Sequence, residues 1–278
     1  EPAFVEDFND NYINPYVWDV VSTGHGGSID ETGQELRLSL AADSHDGDIN
    51  KRFGIGIRAK FKLKGDFDIQ IQYRLITWPE INGVRTILRV VPEDVADSTY
   101  WGDWERYGFA VGRSGAGRGP NVFNDYERYD SNFKRDIRWC PTSDITGMVR
   151  LVRVGNTVGG YYWNASITSW VRLNVGDTTA EYMVVIIEIH SNDVDFGDAE
   201  TVAAFDDLTI YGTIVEEEVP RIGAPSISPS EPYEGEPVTV SVSVEDSITG
   251  VDRVTLYYRT STTISWTPLA MTYEAGVW

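Results

Sequence analysis

The chain has 278 residues, enough for one large or two ordinary domains. Acidic residues outnumber basic ones by 43 to 23, and the net charge of -20 disfavours nucleic acid, acidic polysaccharides and anionic membrane surfaces as partners. One cysteine and three histidines exclude an intrachain disulfide framework and a Cys- or His-rich metal site, and no apolar run is long enough for a membrane-spanning helix.

Strand patterns dominate the first third of the chain. Residues 35–40 alternate apolar and polar side chains, and residues 53–63 place an apolar side chain at every second position. Lys64-Gly65-Asp66 predicts a turn, after which residues 67–75 alternate again. No window of a dozen residues shows the apolar spacing of an amphipathic helix, so the predicted class is all-β.

Further strands are predicted over 84–91, 107–111, 148–154, 157–163, 170–175, 182–189 and 208–211. The stretch 183–189 is almost entirely apolar, which indicates a central strand covered on both faces. Residues 112–136 carry Gly, Arg, Asn, Asp and Tyr without a long apolar run, so the sequence predicts an extended loop there.

A change in composition after Tyr211 marks a domain boundary. Residues 216–220 carry three glutamates and a proline, which are typical of a linker, and residues 237–244 then alternate as a strand. We predict a first domain over 1–213, a linker over 214–224 and a second domain over 225–278. The Glu234-Gly235-Glu236-Pro237 turn and the spacing of Tyr257-Tyr258-Arg259, Trp266 and Trp278 resemble the immunoglobulin-like repeats of large archaeal and bacterial surface proteins, but the second domain is shorter than the roughly 100 residues of that β-sandwich. We expect an incomplete sandwich whose remaining strands follow residue 278 or come from another chain as donor strands.

Short motifs stand at both ends of the first domain. Phe4-Val5-Glu6-Asp7-Phe8-Asn9 opens it, Gly33-x-Glu35-Leu36-Arg37-Leu38 follows, residues 147–158 form a hairpin and residues 204–210 form a closing strand. In these stretches the chain resembles the concanavalin A-like lectin and glucanase jelly rolls, including their laminin G-like relatives. The resemblance spans residues 4 to about 213 and implies a large β-sandwich. It implies no single function, because this fold carries hydrolases, lyases, lectins and adhesive modules.

Three acidic residues gain a role from that resemblance. Members of the family often tie their first and last strands together with a calcium ion, and Asp7, Asp206 and Asp207 stand at the matching positions. Calcium prefers six to eight oxygen ligands, which carboxylates and carbonyl groups at strand ends supply. The resemblance therefore implies a structural Ca2+ site, and capping of turns by these carboxylates or their solvation is the alternative.

Aromatic and charged residues are concentrated at 100–107, which makes this segment the candidate ligand site. Aromatic faces stack on the C–H groups of sugar rings, while carboxylates and guanidinium groups bind hydroxyls. We predict sugar binding at Trp101, Trp104 and Tyr107. Trp78 and Arg85 would line the same face, and ordinary packing in the core or a loop is the alternative.

A catalytic site is harder to find in the sequence. Glucanases of this fold carry Glu-x-Asp-x-x-Glu on one strand, and no stretch of the chain matches that pattern. Glu188 is the acid within an apolar strand, and we assign it a structural role. The lyases of this fold use an Arg-rich strand and a His, which residues 85–89 and His190 resemble faintly, although Ile87 stands where a Glu is expected.

These observations favour a non-catalytic carbohydrate-binding or adhesive module of a secreted or cell-surface protein, with a glycan or another cell-surface polymer as its partner. The aromatic content of 12% agrees with a surface that stacks on flat ligands. The first alternative is a structural subunit of an extracellular assembly, which would self-assemble. The second is a glycoside hydrolase whose catalytic pair the sequence does not reveal. Neither nucleic acid binding nor membrane insertion is expected.

Overall fold

The computed structural model describes residues 1–48, 51–98, 104, 107–117, 125–129, 138–215, 221–233, 236–245, 254–258 and 267–273. The chain divides into two compact units, Glu1–Val215 and Glu216–Trp278. Strands dominate both units, and the described helix α1 (Glu93–Ala96) is four residues long. The predicted all-β class is therefore confirmed.

The first unit contains fifteen strands in its described residues. They are β1 (Phe4–Glu6), β2 (Trp18–Thr23), β3 (His25–Glu31), β4 (Leu36–His45), β5 (Phe53–Ala59), β6 (Lys62–Thr77), β7 (Arg85–Pro92), β8 (Phe109–Ser114), β9 (Asp125–Tyr129), β10 (Arg138–Pro141), β11 (Thr146–Val154), β12 (Thr157–Asn164), β13 (Ser169–Asp177), β14 (Tyr182–Ser191) and β15 (Thr201–Val215).

These strands form two antiparallel layers. The first layer has the order β3-β4-β15-β6-β11-β12-β13, with β1 also paired to β15, and the second has the order β2-β5-β14-β7-β8-β9-β10. A short pairing of Tyr182 and Met183 with Lys64 and Leu63 connects the layers. Strand β8 contacts β11 and β12, and β14 contacts β4, although neither contact is a hydrogen-bonded ladder. The unit is therefore a β-sandwich, as predicted.

The core lies between the two layers because every second side chain of each layer points inward. In the second layer Ile57, Ile187, Leu88 and Val111 stand opposite one another on neighbouring strands, and all four are fully buried. In the first layer the alternating residues of β4 and β6 are buried in the same way, so the alternation read from the sequence marks the core side correctly.

Two local predictions are wrong. Residues 62–77 form one continuous strand, because Gly65 takes a φ of 70° inside β6 and the strand resumes after it. Glycine adopts positive φ without steric cost, so a turn signal in sequence becomes a local irregularity in a strand. Strand β9 lies within the predicted loop over 112–136, because its backbone pairs with β8 although its sequence has no apolar alternation.

The described residues of the second unit form three short antiparallel pairs. Strand β16 (Arg221–Ile222) pairs with β19 (Val244–Glu245), β17 (Ser226–Ser228) pairs with β18 (Thr239–Ser241), and β20 (Thr255–Tyr258) pairs with β21 (Thr267–Ala270). The unit is all-β, and its strands are too short and too few in the described residues to show an immunoglobulin-like topology.

Candidate functional site

The second layer carries charged side chains on the face that points away from the core. In β14 Ile187 and Ile189 point into the core, so Glu188 and His190 belong to the opposite face. Register places His190 opposite Arg85 of β7, and Arg89 lies on the same face as Arg85 because the two residues are four positions apart in one strand. We call this surface of β14 and β7 the polar face.

Arg89, Glu188 and His190 form a cluster in the centre of the polar face. Arg89 Nε donates to Glu188 Oε1 at 2.8 Å, and Arg89 Nη2 lies 2.7 Å from the same oxygen. His190 Nδ1 lies 3.5 Å from Glu188 Oε1. All three side chains are fully buried, so Arg89 and Glu188 form an ion pair that is held away from water, with His190 beside it.

Opposing effects act on the ionisation of Glu188. Burial alone raises the pKa of Glu188, but the charge of Arg89 and a hydrogen bond with His190 outweigh burial and hold the pKa below its ordinary value. Glu188 is therefore an ionised carboxylate at neutral pH. One of its oxygens, Oε2, has no hydrogen-bond partner among the residues that the structure describes.

Glycines on β5 make room for this cluster. Gly56 stands opposite Glu188 and Gly54 stands opposite His190 in the register of β5 and β14. A Cβ at Gly56 would lie 2.3 Å from the carbonyl oxygen of Ile187, and a Cβ at Gly54 would lie 2.3 Å from that of Ile189. The two strands approach too closely for any larger residue at these positions. Glycine at positions 54 and 56 of β5 therefore leaves room for Glu188 and His190 of β14.

The segment after β7 covers part of the polar face. The carbonyl oxygen of Trp104 accepts a hydrogen bond from Arg89 Nη1 at 2.9 Å, and the carbonyl oxygen of Ala96 accepts one from Arg58 Nη1 at 2.7 Å. Trp104 Nε1 donates to the carbonyl oxygen of Val95 at 3.1 Å, and the side chain of Trp104 is 1% exposed. Trp104 therefore packs as an interior residue, which corrects its predicted role as an exposed ring for sugar stacking.

The other predicted ligand-binding residues are dispersed. Trp101 lies outside the described residues. Tyr107 is 36% exposed and lines an open cavity of about 1090 Å³ together with Tyr182 and Glu181, next to the end of β7. Trp78 and Arg85 are half-buried, and of the predicted residues it is Arg85 that register brings beside the central cluster.

Asp206 and Asp207 lie at an irregularity in the middle of β15, and Asp7 lies at the end of β1, which pairs with the residues of β15 that follow them. Asp7 follows β1, whose Glu6 is paired with Leu208 of β15. Burial raises the pKa of Asp206, and the negative charges of Asp207 and Asp7 raise it further. Among the described residues no group of three or more His, Cys, Asp or Glu side chains converges to hold a metal ion. The acids are close enough to repel one another, but their arrangement here does not form a completed calcium site.

The sequence does not reveal that the residues of the central cluster form one site. Glu188 taken alone predicts a structural role, and Arg85, Arg89 and His190 match a known motif poorly. Two sequence patterns could have indicated this site. Apolar strands β14 and β7 carry polar residues two or four positions apart, and β5, which pairs with β14, carries glycine at every second position. Strand pairing, which brings β5, β14 and β7 together, is not visible in the sequence because residues 53–59 and 182–191 are far apart in the chain.

No known protein family and no curated protein matches the sequence. Several solved structures share the fold. One, from work on endo-acting O-glycanases with which members of the human gut microbiota initiate mucin breakdown, has a TM-score of 0.52 at 10% identity over 76% of this chain and 99% of that chain. A proposed β-glucanase from Mycobacterium abscessus has a TM-score of 0.53 at 8% identity over 76% of this chain and 100% of that chain.

The laminarinase catalytic domain from Thermotoga maritima has a TM-score of 0.50 at 9% identity over 77% of this chain and 98% of that chain. The first unit thus has the concanavalin A-like jelly-roll fold of glucanase-type glycoside hydrolases. The solved structures that share the fold come from glycan-cleaving enzymes, which contradicts the hypothesis of a non-catalytic carbohydrate-binding or adhesive module. Within the described residues no helix is both long enough and apolar enough to span a membrane.

Proposed function

We propose that the first unit is a glycoside hydrolase that cleaves its substrate at the polar face. The observation that carries the proposal is the coincidence of a glycanase fold with a buried, ionised Glu188 between Arg89 and His190. A buried ion pair contributes little stability compared with apolar residues of similar volume, because desolvation offsets the attraction of the charges. A functional use of the cluster explains its presence better than stability does.

Glu188 suits one of the two carboxylate roles in glycoside hydrolysis. One carboxylate acts as nucleophile or base and must be ionised, while the other acts as acid and must carry a proton. The lowered pKa of Glu188 fits the first role. For the acid we nominate Glu105, which follows Trp104 in the sequence and lies outside the described residues. Because the side chain of Glu188 is fully buried, a glycan reaches it only when the residues over the polar face are displaced.

The test measures the reducing ends released by the full chain from laminarin, xyloglucan and mucin O-glycans. In Glu188→Gln we expect turnover of the cleaved substrate to fall by about 10²-fold or more, because the carboxylate that would attack the sugar or activate a water molecule is lost. Glu105→Gln is expected to lose turnover to a similar extent. Glu31→Gln is the matched control, since Glu31 is also buried but lies at a different corner of the sandwich, and its turnover should equal that of the wild type.

A second variant separates loss of function from loss of fold. Glu188→Gln leaves Arg89 buried without its counter-charge, which destabilises proteins by about 3–5 kcal/mol. Glu188→Asp keeps the charge and withdraws the carboxylate by one methylene, and we expect it to fold with a native circular dichroism spectrum and to lose about 10²-fold in turnover. Wild-type turnover in a folded Glu188→Asp or Glu188→Gln variant would remove Glu188 from the mechanism. Absence of cleavage across a broad glycan panel would overturn the hydrolase proposal.

We also propose that a structural calcium ion binds at Asp7, Asp206 and Asp207. Burial is the largest cause that raises the pKa of Asp206, and the negative charges of Asp207, Glu35 and Asp7 raise it further. The proximity of these charges supports the proposal, because a cation would relieve their repulsion. The ion would hold β1 against β15 and take no part in cleavage. Side-chain rotation would be needed to bring the carboxylates onto a common ion, since they do not converge in the described arrangement.

For the second unit we propose an immunoglobulin-like sandwich. The three antiparallel pairs β16-β19, β17-β18 and β20-β21 and the alternating sequence over 237–244 support it. Such a unit would serve as a spacer.

A further inference from the structure

The first layer of the sandwich also has a face that points away from the core, and at β12 and β13 this face is aromatic. Tyr162 of β12 is buried against the core, so its neighbours Tyr161 and Trp163 point outward. Register places Trp163 opposite Trp170 and Tyr161 opposite Arg172 of β13. We call Tyr161, Trp163 and Trp170 the aromatic face.

The rings of the aromatic face are held in fixed positions. Trp163 and Trp170 meet edge to face, with ring centroids 5.4 Å apart and an interplanar angle of 74°. The guanidinium group of Arg150, on the adjacent β11, lies 5.4 Å from the centroid of Trp170 and 5.8 Å from that of Tyr161. All three rings are half-buried, so each is supported by its neighbours and still presents surface to solvent.

Two planar polar pairs lie on the same outward side of the first layer as these rings. Arg150 donates from both Nε and Nη2 to the two carboxylate oxygens of Asp68 on β6, with an Nε to Oδ1 distance of 2.7 Å. Arg74, also on β6, binds both carboxylate oxygens of Glu35, with an Nε to Oε1 distance of 2.7 Å. Arg74 and Glu35 line a depression of about 240 Å³ on β6, β11 and β15. Each guanidinium is therefore matched by a carboxylate in a fixed geometry.

This combination fits the chemistry of one ligand class. Sugar rings offer C–H faces that stack on aromatic rings, and their hydroxyls both donate and accept hydrogen bonds. Guanidinium–carboxylate pairs present donors and acceptors side by side without net charge, so they are complementary to hydroxyl groups rather than to a charged polymer. The carboxylates of Asp68 and Glu35 would repel an anionic chain, and the two guanidinium groups would repel a cationic chain.

We propose that the aromatic face binds an uncharged glycan chain at a site separate from the polar face. The two faces belong to different layers of the sandwich and point in opposite directions from the core. A chain held at the aromatic face therefore cannot be the same stretch of glycan that lies on the polar face. The aromatic face would hold the protein on a polymeric glycan while another stretch of that glycan, or a neighbouring glycan chain, lies at the polar face.

The test is affinity electrophoresis of the full chain in native gels that contain laminarin, hydroxyethyl cellulose or, as an anionic polymer, alginate. We expect retardation by at least one uncharged polymer and none by alginate. In Trp170→Ala and Trp163→Ala the dissociation constant should rise by about 3- to 10-fold for each ring removed, the range expected for loss of one stacking ring. Tyr12→Ala, which removes an exposed aromatic ring elsewhere on the first unit, should bind as the wild type does.

Trp170→Phe keeps a ring beside Arg150, so it should retain most of the binding even if Trp170→Ala folds poorly. The readout is binding, so the result does not depend on whether the chain hydrolyses any glycan. Wild-type affinity in both folded Trp→Ala variants, absence of retardation by every uncharged polymer, or stronger retardation by alginate would overturn the proposal. So would a dimer in light scattering that Trp170→Ala dissociates, because the face would then be an interface between two copies of the chain.

Discussion

At the scale of single residues, the pKa values of two buried glutamates of the first unit are shifted in opposite directions. Arg89 lowers the pKa of Glu188, whereas the charged groups that act most strongly on Glu31 among the described residues are the carboxylates of Asp10 and Glu6. Burial and a hydrogen bond with the carboxyl of Asp10 raise the pKa of Glu31 from 4.5 to about 7. Sequence alone does not separate the two cases, because the side chain that acts on each glutamate, Arg89 on Glu188 and Asp10 on Glu31, comes from a distant part of the chain. The sign of each shift depends on what packing places next to the carboxylate.

The raised pKa of Glu31 predicts how stability varies with pH. Between pH 4.5 and about 7 the unfolded chain has released the proton that folded Glu31 still holds. The unfolded state then binds fewer protons, so this residue's contribution to the free energy of unfolding is lost as the pH rises. In Glu31→Gln that loss disappears, and we expect the variant to be more stable than the wild type by about 1–2 kcal/mol at pH 8.

Urea unfolding at pH 4.5 and pH 8 measures this effect. The difference in unfolding free energy between Glu31→Gln and the wild type should increase from the lower to the higher pH. A difference that is the same at both pH values would show that Glu31 titrates normally in the folded chain.

At the scale of strands, alternation predicts the core side of β4, β5 and β6, because each of these strands has one face in the core. Prediction fails where backbone pairing decides the structure. Strand β9 pairs with β8 without an apolar face of its own, and Gly65 lies inside β6 rather than in a turn. The polar face shows the same limit, since β5, β14 and β7 are each readable as strands but their adjacency is not.

The match between β5 and β14 gives a prediction for Gly56. A Cβ at this position would lie 2.3 Å from the carbonyl oxygen of Ile187 and 2.9 Å from Cα of Glu188, so the backbone of β14 must move. We expect Gly56→Ala to lower the free energy of unfolding by about 1–3 kcal/mol, the cost of overpacking, although alanine is otherwise acceptable in a strand. Gly65→Asn is the control, because asparagine tolerates the φ of 70° and no described atom lies within 4 Å of the position its Cβ would take.

Urea denaturation of both variants provides the comparison. Equal stability of Gly56→Ala and the wild type would mean that β5 and β14 are not as close as described, and that the glycines are not required beside Glu188 and His190.

At the scale of the whole molecule, the fold of the first unit is more readily predicted than its function. Short motifs at 4–9, 33–38 and 204–210 mark the ends of a jelly roll, and the structure confirms a sandwich of that kind. The missing Glu-x-Asp-x-x-Glu pattern suggests a non-catalytic protein, and the glycanase structures that share the fold contradict that inference. A linear motif detects carboxylates that lie on one strand. It does not detect a pair such as Arg89 and Glu188, which lie on two neighbouring strands.

A calcium ion bound at Asp7, Asp206 and Asp207 would tie the first strand of the unit to its last, so it would stabilise the whole unit. Calcium at 100-fold excess over its Kd should raise the melting temperature of the full chain by about 5 °C, and a chelator should reverse the shift. Asp206→Asn should abolish the shift, and Asp177→Asn, at the end of β13, should retain it. The same melting temperature with calcium and with chelator would argue against the site.

Glycan cleavage is the measurement that decides whether Glu188 is catalytic. Reducing-end release by the full chain should be compared between the wild type and Glu188→Gln on the best glycan of the panel, with each rate divided by the folded fraction from circular dichroism. Catalysis by Glu188 predicts measurable turnover in the wild type, a loss of about 10²-fold or more in Glu188→Gln, and wild-type turnover in Glu31→Gln. Equal turnover in the wild type and folded Glu188→Gln would contradict it.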